Sequence, residues 1–190
     1  MNERRFLKFI ITAALPAAFS IALGIFLFRS NAFNKLESGF QFVSFGVIGG
    51  IIYSSFRFLG RLKAVGIAVL LLVLDEVLLH STYWSFILDL TLHYIGLCAV
   101  LYVSTVYFFR KLHGAAFGRL LILGALMGIL YLIVAIIMYI AAKIVPSLPG
   151  VYLTQMIYYE SAQGFLVGSG LGVGIELSEY FLSRLDLPQE

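Results

Sequence analysis

The sequence predicts an all-α protein: a polytopic membrane bundle of about six transmembrane helices, with the N- and C-termini cytoplasmic. Three observations carry that prediction. The chain is 61% hydrophobic and only 12% charged, where a soluble domain is about a quarter charged, so polar side chains are too few to cover a water-facing surface. Its apolar residues also come in runs as long as the ~20 needed to cross a bilayer, and the mean hydropathy is +0.99. Finally, Lys and Arg fall in short clusters between those runs, as topology signals do. That distribution also argues against nucleic acid as the target of the net charge of +3. Residues 1–190 read as one integral membrane domain, expected in the cytoplasmic (inner) membrane of a bacterium.

The spans are expected at roughly 6–28, 39–58, 64–80, 83–109, 119–142 and 151–182. A lipid-exposed segment must satisfy its own backbone hydrogen bonds, which leaves helices or a closed barrel. None of the runs alternates apolar and polar residues as barrel strands do, so helices remain. The first span imitates a signal peptide after Arg4 and Arg5, but its apolar run is longer than the ~7–15 residues of such a peptide. Pro16 within it is expected to kink the helix, because the ring removes a donor and crowds the preceding turn. The third and fourth spans are separated by Ser81 and Thr82 and read as an antiparallel hairpin. The sequence VPSLPG at 145–150 breaks the fifth span from the sixth. Cys98, the lone cysteine, excludes an internal disulfide.

With the N-terminus inside, the inner segments hold Arg4, Arg5, Lys8, Arg57, Arg61, Lys63, Arg110, Lys111, Arg119 and Arg184. The outer ones hold Arg29, Lys35 and Lys143. The bias is strongly positive-inside. Tyr83 and Trp84 are then the expected outer anchors, and Tyr107, Phe108 and Phe109 the inner ones. His113, between basic residues, reads as solvated.

The sixth span contains a row at spacing four: Glu160, Gly164, Gly168, Gly172 and Glu176. Helices in lipid associate by close backbone approach at small residues, so Gly164, Gly168 and Gly172 are expected to form a packing face. Gly170 and Gly174 lie beside it, and small pairs recur at Gly46/Gly50, Gly124/Gly128, Ala13/Ala17 and Ala14/Ala18. The face suits another helix of the chain, a partner membrane subunit or a second copy. Each step of four drifts by about 40°. Glu160 and Glu176 therefore stand about 160° apart and do not form one site. Glu176 reads as an interfacial charge.

A polar cluster is expected in the outer half of the bilayer. Asp75, Glu76 and His80 lie on the third span, and Asp89 and His93 on the fourth. Glu160 enters on the sixth, with Gln163 one turn deeper. In EVLLH and DLTLH a carboxylate and a histidine are four apart, hence on one helix face about 6 Å from each other. An intramembrane charge costs ~2.5–3.5 kcal/mol on insertion scales, so such residues pair, protonate or face water, and by default mark a site. Adjacent Asp75 and Glu76 repel one another, which favours proton uptake by one of them.

These residues fit a site for a cation, a proton or a small polar solute; the bland alternative is a buried structural network. Two histidines and four carboxylates also have the donor set of a divalent transition metal. Their spacing of four, however, differs from the Glu-x-x-His repeat of di-iron bundles. His80 and His93 lie at different depths, which disfavours haem. No cofactor is specified, and no phosphate loop, nucleophile motif or zinc signature is present. Three functions follow: a small transporter or its substrate-binding membrane subunit, an intramembrane metal-dependent enzyme acting on a lipid or peptide, and a scaffold subunit of a larger complex. In size, topology and the small-residue motif at Ala13, Ala14, Ala17 and Ala18, the chain is similar to the substrate-binding components of energy-coupling-factor vitamin transporters. That resemblance implies the first function.

Overall fold

The computed structural model describes residues 3–29, 36–79, 84–109, 118–144 and 153–185. These form helices almost throughout: α1 (Glu3–Arg29), α2 (Leu36–Phe58), α3 (Arg61–Leu79), α4 (Trp84–Val103), α5 (Gly118–Ile144) and α6 (Leu153–Leu185). A π-helical turn, Ser104–Phe108, continues α4. Among the described residues, four stretches are long and apolar enough to cross a membrane: Glu3–Phe26, Thr91–Phe108, Gly118–Ile144 and Tyr159–Arg184. Among the described residues of α2, Val43–Phe58 is a shorter apolar stretch. Over its nineteen residues, α3 carries Arg61, Lys63, Asp75 and Glu76.

The exterior is unlike that of a soluble protein. Phe6, Phe26, Val69, Ile129, Ile140 and Phe181 are exposed, while Thr12, Ser20, Ser54, Ser55, His93, Gln163 and Ser178 are buried. Two of these hydroxyls are satisfied within their own helix: Thr12 donates to Lys8 O at 2.8 Å and Ser55 to Ile51 O at 2.7 Å. Ser54 crosses between helices, donating to Phe9 O of α1 at 2.7 Å. An apolar exterior around a polar-dotted interior is the surface of an integral membrane protein.

Glycines set which helices meet. A row of fours is inclined about 26° to its helix axis, and α5 follows that stripe on α6. A Cβ on Gly164 would lie 2.7 Å from Tyr131 Cγ, and one on Gly172 would lie 2.5 Å from Leu120 Cα. At Gly168 a Cβ would fall on the Leu123 carbonyl. Gly170 and Gly174, on the opposite face, approach Ser20 and Pro16 of α1. The same helix α1 meets Gly46 and Gly50 of α2 through Ser20 and the Ala13 carbonyl. Thus α6 lies between α1 and α5, and α1 is one unbroken α-helix through Pro16. The core fills the remaining space with Ile52, Tyr53, Leu97, Leu101, Met127, Val167, Leu171 and Ile175.

The start of α1, the end of α2 and the end of α6 share one end of the bundle, here termed the basic end. Arg5 donates to Phe58 O at 2.6 Å, satisfying one of the carbonyls that a helix leaves open at its C-terminus. Gly60 turns the chain into α3 at φ +92°, a conformation that glycine alone adopts cheaply. Of the expected anchors at this end, Tyr107 and Phe108 are exposed, but Phe109 is not: it is 6% exposed and belongs to the core. The π turn is the reason. Phe109 N–H donates to Ser104 O, five residues back, at 2.8 Å, which rotates Phe109 inward against Tyr53, with ring centroids 6.1 Å apart.

Candidate functional site

In the half of the bundle away from the basic end, α4 presents Asp89 and His93 on one face. His93 Nδ1 lies 2.9 Å from Asp89 O and 3.4 Å from Asp89 Oδ1. Both neighbours accept, so Nδ1 carries the ring proton and Nε2 is left as the nitrogen that gains or loses one. His93 is 4% exposed, and its Nε2 has no hydrogen-bond partner among the described residues. The ring stands edge-on to Tyr131 of α5, with centroids 4.3 Å apart at 68°, and Phe45 of α2 abuts both. The Tyr131 hydroxyl is fully buried and likewise without a described partner. Gly164 makes this possible, because its bare Cα accommodates the Tyr131 ring.

Glu160 and Asp89 lie close enough for their charges to act on both His93 and Tyr131. Glu160 is part-exposed and Gln163 is buried, and each makes polar contacts of its own. The structure therefore brings Asp89, His93 and Glu160 to one level, and adds Tyr131, which no polar spacing had singled out. Asp75 and Glu76 lie on the last turns of α3, but their side chains lie outside the described residues, as does all of His80. Tyr83 and His113 are likewise outside them, with the Trp84 side chain. Among the described residues no three of His, Cys, Asp or Glu converge as metal ligands.

The basic end contains a second arrangement. Glu179 Oε1 accepts from Tyr53 Oη at 2.9 Å and from Arg57 Nη1 at 2.6 Å. Glu176, expected as an interfacial charge, pairs with Arg119 of α5 at 3.0 Å. Beside these pairs lies a cavity of about 390 Å³, bounded by Tyr53, Arg57, Arg61, Tyr102, Phe109 and Glu179 among others. Counting these arginines as topology markers hid their second role. The available signal was a pair of carboxylates, Glu176 and Glu179, three apart among the basic residues of the same leaflet.

No protein family, curated protein or solved structure matches the chain.

Proposed function

We propose that this chain is a six-span protein of the bacterial cytoplasmic membrane, with its basic end in the cytoplasm. In this reading it is a small transporter, or the substrate-binding membrane subunit of one. Its site is the cluster of Asp89, His93, Glu160 and Gln163 with Tyr131, completed by Asp75, Glu76 and His80 of the hairpin. The observation that carries the reading is the His93 ring: buried, fixed through Nδ1, and offering Nε2 to no described side chain.

Leaving a buried polar atom unpaired costs about 1–3 kcal/mol, and a core with two such atoms on adjoining rings suits an occupant that satisfies both. Nε2 accepts from a proton, a protonated amine or a donor on a small solute. The carboxylates of Asp89 and Glu160 supply the negative charge that draws a cation in, and the Tyr131 hydroxyl supplies a donor or acceptor. The glycine faces of α6 are filled from within the chain by α1 and α5, which favours a binding role over that of a scaffold.

The test is flux. Proteoliposomes loaded with a pH-sensitive dye, and separately with a cation-sensitive one, are given an inward gradient. The wild type should dissipate one of the two gradients and Asp89→Asn should not. Equal flux in the two proteins, or none in the wild type under either gradient, would remove this reading.

A further inference from the structure

We infer that the cavity at the basic end is a second binding site, for a phosphate-bearing anion. It is separate from the His93 cluster, lying at the opposite end of the bundle.

Charge comes first. The cavity wall contains three guanidinium groups, from Arg57, Arg61 and Arg119, against one carboxylate, Glu179. Arg57 is paired with Glu179 and Arg119 with Glu176. Arg61 has no carboxylate among the described residues; its guanidinium lies over the Tyr102 ring at 5.3 Å. A positive charge therefore remains in the wall after every described ion pair is counted.

Geometry selects the anion. Each arginine lies over an aromatic ring, Arg57 over Phe58 at 5.7 Å, Arg61 over Tyr102 at 5.3 Å and Arg119 over Phe109 at 5.5 Å from guanidinium carbon to ring centroid, a cation–π placement that holds the charge at the wall. A guanidinium presents its N–H groups in one plane for bidentate bonds, the geometry that phosphate oxygens match. Arg119 Nε is buried with no hydrogen-bond partner among the described residues, so a donor remains for a further acceptor. Arg61 opens α3, so a helix N-terminus starts at this wall, and its open N–H groups favour negative charge. The opposing C-terminus of α2 is already engaged, since Arg5 holds the Phe58 carbonyl.

Depth gives the two sources of such a ligand. The cavity lies among the ends of the apolar helices, which in the proposed topology is the level of the headgroups, where basic pockets between membrane helices take anionic lipid. Free inorganic phosphate carries the same chemistry.

The test uses purified full-length protein, stripped of lipid in a neutral detergent, with thermal unfolding followed as a probe is titrated. The probes are phosphatidylglycerol, phosphatidylcholine and inorganic phosphate. Wild-type protein should be stabilised by phosphatidylglycerol, inorganic phosphate or both, beyond any effect of phosphatidylcholine. Arg61→Gln should need about ten times more probe for the same shift, while Arg61→Lys, which keeps the charge and loses the fork, should fall between them. Because Arg61 is exposed and unpaired with acid, neither variant should unfold in the absence of probe. Response to phosphatidylglycerol alone assigns the site to a lipid headgroup; an equal response to inorganic phosphate assigns it to the free anion. No stabilisation of the wild type beyond phosphatidylcholine, or an Arg61→Gln titration that overlays the wild type, would overturn the inference.

Discussion

The phenol of Tyr53 donates to Glu179 Oε1 at 2.9 Å, a single bond that ties α2 to α6 across 126 positions of sequence. The same oxygen accepts Arg57 at 2.6 Å. A hydrogen bond to a charged group contributes about 1.5–3 kcal/mol, so Tyr53→Phe should destabilise the bundle by that order. Glu179→Gln should cost a similar amount, and the double variant less than the two losses added. Unfolding by denaturing detergent, run as a double-mutant cycle, measures the coupling. Strict additivity would mean that the bond contributes nothing in the membrane.

Two glycines of the bundle should respond in opposite directions to the same added methyl. At Gly168 a Cβ would strike the Leu123 backbone, whereas at Gly66 it meets nothing within 4 Å. Overpacking costs about 1–3 kcal/mol, and Gly168→Ala should lose at least that much because backbone cannot move aside as a side-chain tip can. Gly66→Ala should be neutral or gain about 0.5–1 kcal/mol from lost unfolded-state freedom. Melting temperatures of the two variants, side by side, decide the matter.

For the His93 cluster, the informative change is Asp89→Asn. His93 Nδ1 retains its bond to the backbone oxygen of residue 89, at 2.9 Å, so the ring stays oriented and stability should change by less than about 1 kcal/mol. Removing an intramembrane charge also relieves an insertion cost. Cation or proton flux should nonetheless disappear. If the variant instead loses about 3–5 kcal/mol, the sign of a broken buried ion pair, while the folded fraction keeps its flux, the cluster is structural.

Topology has its own check. Leu62 is 89% exposed at the basic end and Ile144 is 74% exposed at the other. On a Cys98→Ser background, an impermeant thiol reagent applied to intact cells should label Ile144→Cys and spare Leu62→Cys until the membrane is opened. The reverse pattern would place the basic end outside.

Much of this architecture was legible because lipid leaves few options: long apolar stretches must be helices. Small residues spaced by four mark a smooth face, yet spacing alone does not say which helix meets it. Gly164, Gly168 and Gly172 take α5 while Gly170 and Gly174 take α1, because a shift of two residues turns the face by about 200°. Tyr131 was invisible for a related reason. In a segment of leucines and isoleucines a tyrosine reads as bulk, and only the fold shows its ring beside His93. Phe109 was misplaced because an α-helical count carries it outward, and the π turn shifts that count. Glu179 was overlooked because its partners, Tyr53 and Arg57, arrive from more than a hundred residues away.

The π turn at Ser104–Phe108 has a further consequence, for how the chain can vary over generations. It amounts to one residue inserted into an otherwise regular helix. Losing any one residue there would restore plain α-helix and swing everything beyond it by about 100°. Phe109 would leave Tyr53 and Arg119 together. Descendants of this gene are therefore expected to preserve the length of the stretch from Leu101 to Phe109 even where they change its letters. A single-codon deletion in that interval should do more damage than most substitutions within it.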